Sequence, residues 1–368
     1  MLGRRKKTDV LRGPDPDVSR LVMTPSIRQR IARERSLVPR TVRHPTLLAT
    51  RARRAVSPTV AFLELNHDPG RSLLLVGSGR SGTTWLAEVL TAALHCRLVY
   101  EPLRVKSVAW AAPVQRGQYV RPGDEADPSV AQVIDRILTG RIRNQFTDKY
   151  NTVHFPVRRL VKEVRITNLL PWIVRRYPTT PVVYLMRHPV PTAWSVTALG
   201  WPEKLEEFLA QESLMQGPLE PFHDLIHEAA TSGDKFHRVV LQWCLENFVP
   251  SQMLDGGRVH VAFYEDLVED PWGELKRLRS YLQLFTATRW DLQMASVDSV
   301  TRPSQSRNRG TAESNRLDGW VSDVPAAQVE RALSLVSGFG LDRIYANSTR
   351  PVIPVEHVLL GGTPPVDR

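Results

Sequence analysis

The pattern of apolar and polar positions changes character at Leu73. Leu73-Leu74-Leu75-Val76 is short, continuous and apolar, with Gly77 and Gly79 close behind it, the texture of a strand buried on both faces of a parallel sheet. Thr83–Leu94 then spaces Leu86, Leu90, Ala93 and Leu94 at helical intervals, so the chain predicts strand, glycine-rich turn and helix in succession. Further strands are predicted over Arg97–Tyr100, Leu160–Ile166, Val182–Met186 and Val259–Tyr264. Helices are predicted over Val130–Leu138, Asn168–Tyr177 with Pro171 in its first turn, Pro191–Leu199, Lys235–Leu254, Trp272–Leu284 and Ala326–Val336. Residues 113–128 read as a polar surface loop rich in Pro and Gly. Strands alternating with helices imply an α/β three-layer sandwich around a central parallel sheet, with ligands at the C-terminal ends of the strands.

Charge divides the chain. Residues 1–60 hold 15 Lys and Arg against 4 Asp and Glu, whereas residues 61–368 hold 34 of each sign, so the whole net charge of +11 sits in the first segment. The expected organisation is a basic extension over 1–70, one domain over 71–345 and a Pro-rich tail over 346–368. The basic segment has neither zipper heptads nor interleaved aromatics, so no specific nucleic acid is expected; it is a solvated arm or one that touches an anionic surface. No apolar run approaches the roughly 20 residues of a membrane-spanning helix. Nor does an apolar stretch follow the charged start as in a signal peptide. The expectation is a cytoplasmic protein. Cys96 and Cys244 are too few for a disulfide framework, and the histidines show no clustered ligand spacing, so no metal is expected.

Gly77-Ser78-Gly79-Arg80-Ser81-Gly82-Thr83-Thr84-Trp85 lies between the first strand and its helix, where backbone N–H groups and the helix dipole converge on an anion. Gly77 and Gly82 match the glycines of GxxxxGK[ST], but Thr83 stands where the nucleotide-triphosphate pattern requires lysine. Val182–Met186 is closed by Arg187 rather than by a magnesium-binding Asp. A metal-free phosphate ester therefore fits better than a metal-bound triphosphate.

These residues resemble the sulfotransferase family that uses 3'-phosphoadenosine 5'-phosphosulfate (PAPS), whose 5'-phosphosulfate loop is similar to Arg80-Ser81-Gly82-Thr83-Thr84-Trp85. Arg187 with Ser195 resembles the family's pair that grips the 3'-phosphate; a guanidinium makes a charge-assisted fork to phosphate and a serine adds an oriented donor. Tyr264-Glu265-Asp266-Leu267 looks like the family's strand-end motif, with Tyr264 as a neighbour of adenine, and Arg307, Arg309 and Gly310 resemble its late basic loop. The resemblance runs from about Ser72 to Leu341. It implies a P-loop-like fold, PAPS as co-substrate and no metal, with Gly79 to Trp85, Arg187, Ser195, Tyr264, Arg307, Arg309 and Gly310 binding the nucleotide. The two arginine clusters are expected a single nucleotide's length apart.

By the same resemblance, Arg80 stabilises charge on the leaving phosphate and the transferring group. Arginine at this position is more typical of tyrosylprotein and carbohydrate members, and lysine of cytosolic ones. Trp85 stacks on adenine or packs against the sheet. The Lys-Thr-His strand of cytosolic members reads Lys162-Glu163-Val164 here, so lysine is kept and the histidine base is not. Tyr100-Glu101-Pro102 resembles a carbohydrate-type segment, which makes Glu101 the candidate general base, with a pKa raised by a closing pocket, and Glu163 the reserve. The alternative for Glu101 is pairing with Arg80, Arg104 or Lys162. The acceptor is a small molecule or glycan that offers a hydroxyl or an amine, inclining to a sugar or glycolipid hydroxyl, seated among residues 103–160 and 200–235. Two other readings remain open, a P-loop kinase or nucleotide phosphotransferase and an anionic-surface binding protein with an inactive core.

Overall fold

Alternate side chains along each strand sort into two separate apolar covers, which makes this chain a layered α/β protein. The computed structural model describes residues 61–253, 258–285 and 315–352, all within one unit, Ser57–Arg368. The calls on Arg307, Arg309 and Gly310, on residues 1–60 and on the tail beyond 352 lie outside the described residues. Strands β1 (Ser72–Gly77), β2 (Arg97–Tyr100), β3 (Arg159–Glu163), β4 (Val182–Met186) and β5 (Val259–Phe263) form one sheet in the order β2-β3-β1-β4-β5. Every neighbouring pair is parallel. The helices are α1 (Thr83–Leu94), α2 (Pro128–Leu138), α3 (Leu170–Arg176), α4 (Pro189–Ala198), α5 (Leu205–Leu209), α6 (Glu212–Met215), α7 (His223–Ser232), α8 (Lys235–Met253), α9 (Tyr264–Glu269), α10 (Pro271–Gln283), α11 (Asn315–Asp323) and α12 (Ala326–Gly338).

Leu74, Val76, Val99, Val161, Tyr184 and Val261 join the cover built from α2, α3, α4, α7, α8 and α12. Leu73, Leu75, Leu98, Leu160, Val183 and Leu185 join the other, built from α1 and α10 with Leu267 of α9. Strands of period two buried on both faces produce this division, and it explains why their sequence is continuously apolar rather than alternating.

Strand β3 ends at Glu163 rather than at Ile166, and three further local expectations change. Tyr264 opens α9 instead of closing β5. Helix α3 is preceded by a 3-10 turn at Thr167–Leu169, with Pro171 in its first turn. Residues 113–120 are not wholly a surface loop, because Val114 and Tyr119 bury their side chains in the larger core between exposed positions such as Pro113 and Gln115. Gly117, at φ 75°, sits where a Cβ would lie 2.7 Å from the Phe208 ring.

At the N-terminal end of the sheet, the extended stretch ahead of β1 turns Phe62 and Glu64 inward and Leu63 and Leu65 outward. Glu64 accepts from Arg97 Nη1 through Oε2 and from Arg159 Nε through Oε1, each at 2.6 Å, and Asp148 pairs with Arg97 at 2.7 Å. These two cations and two carboxylates are sealed from water. Among the described residues no helix is long and apolar enough to cross a membrane. Removing one partner of a buried pair leaves an uncompensated charge, at a cost of about 3–5 kcal/mol. Glu64→Gln should therefore lower unfolding stability by that order in denaturant titration, and a loss below about 1 kcal/mol would show that the network is dispensable.

Candidate active site

Strand β1 leads directly into the phosphate loop. A Cβ on Gly77 would lie 2.2 Å from the Leu185 carbonyl, so glycine is required where β1 and β4 converge. Arg80 takes φ 71° and Gly82 φ 91°, the latter as N-cap of α1. Left-handed residues flanking Ser81 turn the loop back on itself, with Ser81 N–H donating to the Ser78 carbonyl at 3.2 Å. The N–H groups of α1's first turn have no intrahelical acceptor and face anions favourably. For Arg80, the left-handed backbone costs about 1–2 kcal/mol, a strain of the kind found at working sites. A Cβ on Gly82 would come within 2.6 Å of the Tyr264 ring, so that aromatic face lies against the loop.

The second predicted cluster meets the first directly. Arg187, just past β4, donates from Nη1 to the Arg80 carbonyl at 3.0 Å, and Arg80 Nε donates to Ser195 Oγ at 2.9 Å. Arg80, Arg187 and Ser195 are thus closer than one nucleotide's length, because β1 and β4 are adjacent, with Gly77 opposite Leu185. Burial and the neighbouring Arg187 lower the pKa of Arg80. Neither guanidinium has a carboxylate at ion-pair distance among the described residues; the Arg187 guanidinium lies 4.3 Å from the Tyr264 ring centre and that of Arg80 5.5 Å from the Trp201 ring centre. Glu265 is near enough to feel the charge of Arg187 but forms no ion pair with it, and Ser81 Oγ and Arg187 Nε are buried with no partner among the described residues. Such an arrangement fits an anionic ligand with more than one phosphate-like group.

Several props were not legible as site residues. Trp243 Nε1 donates to the Arg187 carbonyl at 3.0 Å, and Asn247, one turn on in α8, donates to Ser78 Oγ at 3.0 Å and accepts from the Tyr184 hydroxyl at 2.8 Å. Their one signal was spacing on a common face of α8. Glu265 accepts from the His188 N–H at 2.9 Å and the Tyr345 hydroxyl at 2.8 Å, while the His188 ring stacks on Trp320 with centroids 5.0 Å apart. Burial, with Arg187 beside it, pushes the His188 imidazole down to about 3, so it stays neutral. The strand-end motif thus reaches the site twice, through the Tyr264 ring and through Glu265.

On the other side of β1, Glu101 follows β2 at φ 43°. Its carboxylate accepts from Lys162 Nζ at 2.6 Å and from Arg165 Nη2 at 3.0 Å. The sequence predicts a carboxyl raised toward neutrality, but here, although burial pushes it up, the two cations outweigh burial and hold it at about 2. Arg165 was not anticipated in this role. Glu163, the reserve, is fully buried: it accepts from the Leu103 and Val164 N–H groups, both at 2.8 Å, and from Arg165 at 2.6 Å. That occupancy makes it a fastener for the segment after Glu101 rather than a base. Thr83 is buried and Thr84 half-buried at the start of α1, Gly79 has open space where a Cβ would be, and Trp85 packs against the cover formed by α1 and α10.

Comparison with solved structures finds fold-level likeness at low identity. Mouse sulfotransferase SULT7A1 complexed with PAP is 15% identical, covering 78% of this chain and 87% of that one, with a TM-score of 0.39. Sulfotransferase STF9 from Mycobacterium avium is 14% identical over 76% of this chain and 78% of that one, with a TM-score of 0.39. The sulfotransferase from Alicyclobacillus acidocaldarius is 13% identical over 72% and 95%, with a TM-score of 0.32. No curated protein matches the chain. The Sulfotransferase family model matches residues 72–287, more than half of the chain, from the first residue of β1 through the loop, Arg187, Ser195 and Tyr264, and on that match the chain belongs to the sulfotransferase family.

Proposed function

We propose that this sulfotransferase takes its sulfuryl group from PAPS and passes it to a hydroxyl on a small-molecule or glycan acceptor. The observation that carries the reading is the meeting of two guanidiniums that have no ion-pair partner among the described residues, Arg187 bonded to the Arg80 carbonyl and Arg80 to Ser195, at the ends of two adjacent strands. In this reading Gly79 to Thr84 cradle the 5'-phosphosulfate with backbone N–H groups and hydroxyls. Arg187 and Ser195 hold the 3'-phosphate, and the Tyr264 ring lies beside the base. Bound PAPS supplies an activated sulfuryl group on a phosphate leaving group. Arg80 gives up its bond to Ser195 and turns to the charge that develops on that phosphate, and the two cations do by position what a metal does elsewhere.

Glu101 and Lys162 face the acceptor side as a coupled pair. Because Glu101 is ionised throughout the neutral range, it orients the acceptor hydroxyl and receives its proton late, as charge leaves the oxygen. Lys162, freed from Glu101 at that moment, is drawn toward the sulfuryl oxygens. The exposed Trp201, within reach of Arg80, forms part of the acceptor wall contributed by residues 200–235.

Two measurements test this reading. Calorimetry without metal should show adenosine 3',5'-bisphosphate binding about 10–100-fold more tightly than AMP, the worth of one or two charge-assisted hydrogen bonds. Arg187→Ala or Ser195→Ala should erase most of that difference, and equal affinities in the unaltered protein would remove the 3'-phosphate assignment. For the base, a carboxyl held near 2 stays deprotonated at every pH above that value, so the rate should show no Glu101 limb between about pH 5 and 8. Glu101→Gln should lower kcat by about 10²–10⁴-fold, and a variant retaining full kcat would assign the proton to another group.

A further inference from the structure

Beside Glu101 lies a cluster that the transfer reaction just described does not use. The turn carrying Phe146, Lys149 and Tyr150 is tied to the end of β2 by Tyr100 N–H donating to the Thr147 carbonyl at 2.8 Å. It is pinned from within by the Asp148–Arg97 pair at 2.7 Å, and Asn144 caps it, accepting from the Phe146 N–H at 2.7 Å. With Asp148 drawn inward, Lys149 and Tyr150 are turned outward on a stiff support. The Lys149 ammonium sits 4.1 Å from the ring centre of Tyr100, 4.4 Å from Phe146 and 4.7 Å from Tyr150. Arg104, exposed on the segment after Glu101, has its guanidinium 5.0 Å from the Phe146 ring centre.

The electrostatics of this corner are lopsided. Lys149, Arg104, Lys162 and Arg165 surround two carboxylates, Glu101 and Glu163, and both of these are taken up by Lys162 and Arg165. Among the described residues neither Lys149 nor Arg104 has a carboxylate at ion-pair distance. Aromatic faces hold a cation in place at about 0.5–2 kcal/mol without neutralising it, so both charges remain available to an incoming anion.

Position assigns the cluster to the acceptor. Arg187 and Ser195 follow β4, whereas Tyr100 closes β2, with β3 and β1 between them. The Tyr100 hydroxyl is within reach of Thr84 at the phosphate loop; burial lowers the pKa of Lys149, with Glu101 near enough to oppose that shift and Arg104 adding to it. The rings offer flat apolar area to a sugar or aromatic ring, and the cations offer charge at its edge.

Resting on the PAPS-dependent reading above, we propose that Lys149 and Arg104, held over Tyr100, Phe146 and Tyr150 beside Glu101, form a subsite for an acceptor whose ring carries its own negative charge, such as an acidic sugar. Stacking places the ring on the aromatic faces, the charge pairs with Lys149 and Arg104, and the reacting hydroxyl is left toward Glu101.

The test uses the full chain saturated with adenosine 3',5'-bisphosphate and two matched probes, 4-nitrophenyl β-D-glucuronide and 4-nitrophenyl β-D-glucoside, which differ in one carboxylate. Calorimetry should show the glucuronide binding at least about tenfold more tightly, the scale of one charge-assisted hydrogen bond. Lys149→Met and Arg104→Gln should each shrink that preference while leaving affinity for the bisphosphate unchanged, which also reports an intact fold. Equal binding of the two probes, no binding of either at millimolar concentration, or a preference that survives both substitutions would overturn the proposal. So would loss of bisphosphate affinity in Lys149→Met, since the cation would then serve the nucleotide. Failure of the unaltered protein to bind the bisphosphate at all would instead strike the donor reading.

Discussion

Two arginines in contact, with no acid between them, form the constraint around which the rest of the site is arranged. Arg80 and Arg187 repel each other, and burial raises the cost of keeping Arg80 charged. The protein accepts that cost by satisfying the loops around them with neutral groups: the Arg80 carbonyl takes Arg187, Ser195 takes Arg80, and Trp243 holds the Arg187 carbonyl. Any carboxylate placed there would stabilise the fold and fill the site. Carboxylates are present close by, but they are turned to other tasks, as when Glu265 fastens the His188 N–H and the Tyr345 hydroxyl instead of pairing with Arg187.

The opposite end of the sheet uses the same residue types to the opposite purpose. Arg97 and Arg159 are fully buried, but Glu64 and Asp148 neutralise them within hydrogen-bond distance. Those arginines tie the stretch ahead of β1 and the turn ahead of β3 to the sheet and leave nothing for a ligand. Arginine at the N-terminal strand ends is paired and serves structure, whereas Arg80 and Arg187 at the C-terminal ends of β1 and β4 have no carboxylate at ion-pair distance among the described residues. Since the strands are all parallel, this division also points every strand end that carries chemistry the same way.

Glu101 belongs to neither group. Lys162 and Arg165 keep it ionised despite burial, which makes it a weaker base than a carboxyl tuned toward neutrality but a permanently charged one. Sulfuryl transfer through a loose transition state needs the acceptor proton removed late, so orientation and a standing negative charge matter more than high basicity. In the proposed transfer, its pairing with Lys162 brings a cation to the acceptor side of the site. The left-handed backbone at Glu101 shows that this position is enforced by its surroundings.

By itself the sequence determined whatever depends on neighbours along the chain. The five strands, the glycine-rich turn and the helix after it were all legible, because periodicity and turn chemistry act over a few residues. So was the family, since its loop is contiguous. Tertiary structure alone decided the strand order, and with it the direct contact of Arg80 with Arg187, since parallel neighbours are set by packing of distant crossovers. It also decided the fate of each carboxylate. Glu64, Glu101, Glu163 and Glu265 are alike in sequence, yet one neutralises a buried pair, one is held ionised between Lys162 and Arg165, one fastens a loop and one props the arginine corner. An ionisable group takes its role from the charges within about 4–6 Å of it, and those neighbours come from segments far away along the chain.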